Sequence, residues 1–212
     1  MAYKSNVYFR RAEREDLDTV VAWLDDPDFL HFLYGDPTRS PKQIRENIVS
    51  MLGRTVGQTL PGAIYLIIES PNDGPIGLLS LQNISWRNRS CSVDLYMGNK
   101  KYRVGLTAGL AWMRAIEYCF DELNLHRVSA YVYSFNTASW RICERSGAVR
   151  ELTLREHVAR DGKLYDMYCY AWLREDFDRL RESMKDQLPG KSLADMIAAW
   201  EKSAASPTEA NP

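Results

Sequence analysis

Between Ala63 and Leu123 the apolar residues change their period once, and that change limits the chain to folds in which strands run straight into a helix. Ala63–Glu69 and Pro75–Ile84 are strand-like runs separated by Pro71-Asn72-Asp73-Gly74, which is the turn chemistry of a β-hairpin. Cys91–Met97 reads as a further strand, so the middle of the chain is an antiparallel meander. Beyond it Gly109, Trp112, Met113, Ile116, Cys119, Phe120 and Leu123 follow a helical stripe, with Arg114, Glu117 and Asp121 on the other face. Arg127–Tyr133 returns to a strand and Thr137–Ser146 to a short helix, with Gly147 at its left-handed C-terminal position. Strand, helix, strand and helix in that order predict an α/β (α+β) domain whose sheet is mixed and mainly antiparallel.

The flanks extend this pattern. Val7–Arg11 reads as a first strand, and Leu17, Val20, Val21 and Leu24 recur at helical spacing within Glu15–Leu24. A second helix is predicted after Ser40-Pro41, through Ile44, Ile48 and Leu52. The aromatic stretch Phe29–Gly35 between them is either a packing link or one wall of a ligand site. Glu151–Ala159 and Leu164–Leu173 flank Arg160-Asp161-Gly162-Lys163 as another hairpin. Beyond Arg174 the pattern is charged and helical, and it breaks at Pro189-Gly190. A last helix with Met196, Ile197 and Trp200 is predicted after Ser192, and a disordered end from Ser203 to Pro212. A compact domain over 5–178 and a helical C-terminal extension over 179–212 are therefore expected, in keeping with 212 residues at roughly 150 per domain.

Composition narrows the function. Lys and Arg total 27 against 28 Asp and Glu, a formal net charge of −1, which excludes binding to nucleic acid or an anionic membrane through a global field. No apolar run approaches the roughly 18 residues of a membrane span, and Met1–Asn6 lacks the pattern of a signal peptide, so a soluble, cytoplasmic protein is expected. Cys91, Cys119, Cys143 and Cys169 form no Cys-x-x-Cys pair and have no nearby histidine cluster. They read as free buried thiols, and no metal site is expected.

The informative place is the strand-to-helix junction Tyr96–Gly109. A strand feeding a helix through small residues exposes backbone N–H groups at the positive end of the helix dipole, a ready site for a phosphate or pyrophosphate. From Asn99 to Arg114 there are 4 basic residues and no acidic one. Neither Gly105 nor Gly109 is followed by Lys, which excludes a Walker-type loop. A dinucleotide fingerprint would follow the first strand of a parallel unit, not a meander. Anion binding and a plain solvated turn remain as the two readings of the loop.

In combination, several stretches resemble the GNAT superfamily of N-acetyltransferases, in particular the branch typified by the ribosomal-protein acetyltransferases RimJ and RimL. These are Val7–Arg11 with the following AEREDLDTV, then PIGLLSL, VDLYMGNKKYRVG, FDELNLHRV, NTASWRICERSGA and LREHVARDGKLYDMYCY, in the family's order over roughly 7–176. The resemblance implies a cleft where two neighbouring strands splay apart and an acyl-coenzyme A lies with its pyrophosphate on the loop after the fourth strand. The family loop, Arg/Gln-x-x-Gly-x-Gly/Ala, falls on Tyr102-Arg103-Val104-Gly105-Leu106-Thr107, keeping the central glycine and changing both flanks. Leu95, Tyr96 and Met97 on the preceding strand join these as implied cofactor contacts. Asn136 would contact the pantetheine arm or simply cap its helix. The tyrosine that protonates the departing thiolate in many members is replaced by Cys143, and Ser139 is the implied donor in this branch, ahead of Cys143 and Tyr133.

An amine attacks a thioester only after losing a proton, so the reaction needs a base, and the oxyanion needs a donor such as a backbone N–H near Met97. Asp94 is the best-placed carboxylate, sharing a strand face with Ser92 and Tyr96. It either faces an apolar cleft, which would raise its pKa, or lies in solvent on the open side of the sheet. Phe32, Tyr34, Trp86 and His157 are candidates for the acceptor side. The function expected is direct acetyl transfer from acetyl-CoA to a primary amine, on a protein N-terminus or a small molecule. A coenzyme A-binding regulatory module without catalysis is the alternative. A homodimer is allowed for, and neither a metal nor an acyl-enzyme is needed.

Overall fold

A computed structural model describes residues 7–32, 40–55, 60–103 and 106–187. The first strand, β1 (Tyr8–Arg11), leads through a 3-10 turn into α1 (Leu17–Leu24), α2 (Pro27–Phe32) and α3 (Pro41–Thr55). The meander is β2 (Ile64–Ser70), β3 (Gly74–Ser85) and β4 (Ser90–Tyr96). After it come α4 (Leu106–Glu117), β5 (Arg127–Tyr133), α5 (Thr137–Arg145), the hairpin β6 (Val149–Arg160) and β7 (Lys163–Leu173), and α6 (Arg174–Gln187). The aromatic link expected after α1 is therefore partly helical, since Pro27 supplies a fixed φ at a first helical position. The long helical stripe ends earlier than its apolar spacing suggests, at Glu117, and continues as a π-turn over Tyr118–Glu122. The expected Met196–Trp200 helix and the segment Ser203–Pro212 lie outside the described residues.

Seven strands form one sheet in the order β1-β2-β3-β4-β5-β7-β6. Every neighbouring pair is antiparallel except β4 and β5, the mixed, mainly antiparallel sheet expected. One face packs on α4, whose Ala111, Ala115 and Ile116 are buried against Leu79, Val93 and Val128. Small side chains on this helix let it lie close to the strands. The other face packs on α1 and α3 through Leu17, Val20, Ile48 and Ile67. All four cysteines are buried and free, with the Cys91 and Cys119 sulfurs 4.0 Å apart.

The parallel pair positions the site. β4 and β5 are in register over Ser90–Arg127, Cys91–Val128 and Ser92–Ser129 only. Beyond these residues β4 stays paired with β3 as far as Tyr96, and β5 with β7 as far as Tyr133. The sheet thus opens into a wedge between strands that are each held on their outer side. The loop that follows β4 is pinned by close approach: a Cβ on Gly98 would lie 2.1 Å from the indole of Trp23 on α1, so only glycine fits there. At the other end α6 runs through the expected boundary at 178. Phe177 is 2 % exposed and stacks near Phe120, and Arg181 pairs with Asp121 at 2.7 Å.

Candidate active site

The wedge between β4 and β5 holds a cavity of about 300 Å³. Val93, Leu95, Ala130 and Val132 line it near the point where the strands part, with Trp112 of α4 on one side. Phe29 and Phe32 of α2, Ile48 of α3, Tyr65 of β2 and Leu78 of β3 line the other side. Asn136 and Ser139, at the start of α5, belong to the wall that follows β5. The cavity is therefore bordered by elements of both helical layers.

Asp94 stands on β4 directly opposite Ser80 of β3. The Gln82 side-chain amide donates to Asp94 Oδ2 at 3.2 Å and to Ser80 Oγ at 2.9 Å, so one amide holds both groups. A register shift between Gln82 and Ser85, with Asn83 at φ 51°, interrupts the β3–β4 ladder just beyond Gln82. Asp94 is exposed to the open cleft, yet the protein around it thins its hydration and pushes its pKa up to about 6. The two expectations for Asp94, an apolar cleft and an open sheet face, thus meet at one residue. Tyr96, beyond it on β4, is pushed up to about 12, chiefly by burial.

On the opposite wall, Asn136 Oδ1 accepts from the Ser139 N–H at 3.3 Å and caps α5, and its Nδ2 donates to Phe32 O at 3.4 Å. Both ends of the amide are thus engaged within the protein, and one of them fastens α2 across the wedge. Ser139 and Tyr133 line the cavity. Cys143 does not: it is 1 % exposed in the core, away from the cavity, and the same burial pushes its thiol well above the ordinary range.

The basic stretch after β4 is neutralised by acids, all but Glu117 from elsewhere in the chain. Lys100 meets Asp26 at 3.3 Å, Lys101 meets Asp73 at 2.6 Å, and Arg114 pairs with Glu117. Arg103 lies inward and is engaged by the protein itself. Its guanidinium reaches Asp28 at 2.6 Å and Asp26 at 3.3 Å, the Tyr96 hydroxyl at 2.5 Å and the Met97 carbonyl at 3.0 Å. Tyr102 donates to Asp73 at 2.5 Å. Local composition showed the charges but, apart from Glu117, not their partners, which lie roughly 30 to 80 positions away in the chain. Lys100 and Lys101 remain on the surface, where such pairs exchange readily for another anion.

Of the other expected contacts, Leu95 and Tyr96 line the cavity, Met97 is buried in the core, and Leu106 and Thr107 open α4. Val104, Gly105 and Tyr34 lie outside the described residues. Phe32 lines the cavity, but Trp86 donates to Pro61 O at 2.8 Å away from it, and His157 is exposed on β6. The wedge thus unites Asp94, Leu95, Tyr96, Asn136, Ser139 and Phe32, and leaves Trp86 and His157 apart. Ser80, Gln82 and Tyr131 join the site without having been expected, while Phe29 belongs to the aromatic stretch read as a possible wall. For Ser80 and Gln82 a signal was available, namely polar residues alternating inside the otherwise apolar strand Leu78–Ile84.

Among known proteins, residues 6–149 match the acetyltransferase (GNAT) domain. An uncharacterized N-acetyltransferase, p20, from Bacillus licheniformis is 25 % identical over 177 residues, covering 82 % of this chain and 97 % of that protein. The crystal structure of spermidine N-acetyltransferase from Vibrio cholerae, in complex with CoA and spermine, superposes with a TM-score of 0.72 at 21 % identity, covering 82 % of this chain and 99 % of that one. No described helix is long and apolar enough to cross a membrane. With the family matched across more than half its length and the splayed sheet in place, the chain belongs to the GNAT acetyltransferases, enzymes that take acetyl-CoA as their acyl donor.

Proposed function

We propose that the chain transfers acetyl directly from acetyl-CoA to a primary amine held in the same cleft, with Asp94 as base and Ser139 as donor to the departing sulfur. The single observation that carries this reading is the Asp94 carboxylate inside the wedge, with its pKa raised to about 6. A base of that kind is ionised at neutral pH and still basic enough to take a proton from an ammonium group. The unpaired edges of β4 and β5 beyond Ser92 and Ser129 suit an extended, amide-bearing arm, which can bond to them as an added strand would. Surface Lys100 and Lys101, and the first turn of α4, would meet the phosphates.

The steps balance without a covalent enzyme intermediate. Asp94 accepts a proton from the ammonium, and the free amine adds to the thioester carbonyl carbon. The tetrahedral adduct expels the thiolate, the C–N bond remains and the C–S bond breaks. The proton that nitrogen sheds as the amide forms passes to sulfur through the Ser139 hydroxyl. Four reduced cysteines fit a cytoplasmic enzyme. The acceptor is either a small amine or a protein N-terminus, and the spermidine enzyme that shares the fold brings polyamines into the comparison.

The deciding experiment measures thiol release and acetyl-CoA affinity for the wild-type chain and for Asp94→Asn, across a panel of amines. Turnover is expected to fall by about 10²-fold or more with little change in acetyl-CoA affinity. Equal turnover would remove Asp94 as the base. Acetyl-CoA binding with no thiol release to any amine would return the chain to a non-catalytic CoA-binding role.

A further inference from the structure

β6 is an open edge of the sheet, with β7 on one side and no strand on the other among the described residues. It runs for 12 residues, whereas β1 at the opposite edge has 4. Long edges are normally guarded by Lys, by Pro or by bulges that turn them away. Val149–Arg160 contains neither Lys nor Pro, and Val149 and Leu152 are 58 % and 53 % exposed. Its register shifts, between Arg150 and Leu152 and between Leu154 and Val158, fall at the two ends of a regular run, Leu152-Thr153-Leu154, on which a further strand can pair. We propose that a second copy of this chain is that strand: two β6 edges pair antiparallel about a two-fold axis at Thr153 and join the sheets of both copies.

The order of charges along the edge carries the argument. In Arg150-Glu151-Leu152-Thr153-Leu154-Arg155-Glu156, turning one copy end for end brings each charge opposite its counter-charge. An axis at Thr153 sets that residue against its own copy, Leu152 against Leu154, Glu151 against Arg155 and Arg150 against Glu156, each of the last three twice by symmetry. Facing residues of antiparallel strands share a side of the sheet, so a two-fold axis normal to it must pass where a residue faces itself. An axis at Leu152 sets Arg150 against Leu154, and an axis at Leu154 sets Glu156 against Leu152, so each neighbouring register places a charge on a leucine. Arg150, Glu151, Arg155 and Glu156 are all exposed, although Glu151 also accepts from Arg127 at 2.8 Å and Arg150 lies over the Tyr168 ring within their own chain. Backbone bonds and the facing leucines supply the attraction, and the charges select this register and this partner.

Sedimentation of the full chain as a function of concentration tests this. The wild-type protein is expected to associate into pairs of 24.4 kDa chains. Arg155→Glu combined with Glu156→Arg reverses one flank, and self-association is expected to weaken by at least about tenfold, because like charges then face one another. Arg150→Glu combined with Glu151→Arg reverses the other flank and weakens it likewise. Mixed together, the two variants face opposite charges at every one of these positions, and native mass spectrometry is expected to find the heterodimer in excess of either homodimer. Circular dichroism checks that both variants fold. Thr153→Cys gives a readout independent of the charges: with diamide as thiol oxidant it is expected to join two copies through a disulfide, while Tyr8→Cys, exposed on the β1 edge, stays uncoupled. A wild-type chain that sediments as a monomer throughout the micromolar range would overturn the inference and leave the edge to another partner. Self-association unchanged in both folded reversed-flank variants, or no covalent dimer from Thr153→Cys, would also overturn it.

Discussion

At the scale of single residues, Asp94, the proposed base, costs the fold stability. Its pKa is higher in the fold, about 6, than the ordinary value of 3.8, so the native state binds a proton more tightly than the unfolded chain does. Stability therefore falls as pH rises from about 4 to about 6, and the penalty persists above that range. Asp94→Asn is expected to raise the unfolding midpoint at pH 8 while leaving it unchanged near pH 4, as thermal unfolding at the two pH values would show. Gln82 works in the opposite sense. Its amide donates to Asp94 Oδ2 and favours the charged form. Gln82→Met keeps the side-chain length and removes the donor. The acid limb of the pH profile of kcat/KM is expected to move up by roughly half to one unit, with acetyl-CoA affinity unchanged. An unmoved limb would mean that Gln82 merely fills space. Asp94 was legible in the sequence because strand alternation places it beside a loop rich in small residues. Gln82 was not, because its role depends on the pairing register that sets Ser80 opposite Asp94.

At the scale of elements, α2 closes one side of the wedge and is fastened at both ends. Asp26 and Asp28 hold it to Arg103, and the carbonyl of Phe32 holds it to Asn136. A local reading of the loop takes Arg103 as a phosphate contact, whereas the guanidinium is committed to these acids, to the Tyr96 hydroxyl and to the Met97 carbonyl. Such tertiary pairings leave no trace in local spacing, so the basic stretch was legible and its neutralisation was not. Arg103→Met then tests which role holds. The fold is expected to lose roughly 1–3 kcal/mol, because acceptors are left without their donor. The acceptor KM is expected to rise as α2 loosens, while the dissociation constant for acetyl-CoA changes by less than about threefold. A large loss of acetyl-CoA affinity with an unchanged acceptor KM would restore the phosphate role. Gly98→Ala strains the same corner, since its Cβ would overlap the Trp23 ring at 2.1 Å. A cost of roughly 1–3 kcal/mol in unfolding free energy is expected for that overpacking.

At the scale of the whole molecule, strand and helix periods and the hairpin signals made the element order legible from β2 to β7. The wedge was not derivable from them. It arises because β4 and β5 pair for only three residues and then follow different outer neighbours, and only the family resemblance anticipated it. The C-terminal limit of the domain was likewise out of reach, because charged helical periodicity alone does not say which turns pack. We propose that the catalytic unit extends past residue 178 into α6. Phe177 is buried against Phe120, Leu180 packs on the core beside Gly147, and Arg181 pairs with Asp121 of the π-turn. These contacts tie α6 to the sheet face opposite α1 and α3, away from Asp94 and the acceptor walls. Phe177→Ala is expected to cost roughly 3–5 kcal/mol and to lower the melting midpoint on the order of 10 °C. At temperatures well below that midpoint, KM for both substrates should stay unchanged, because none of the described cavity-lining residues belongs to α6. A chain ended after Gln187 is expected to melt higher than one ended after Asp178, which has lost Leu180 and Arg181. Equal melting of the two truncated chains would place the boundary at 178 and reduce the second half of α6 to an appendage.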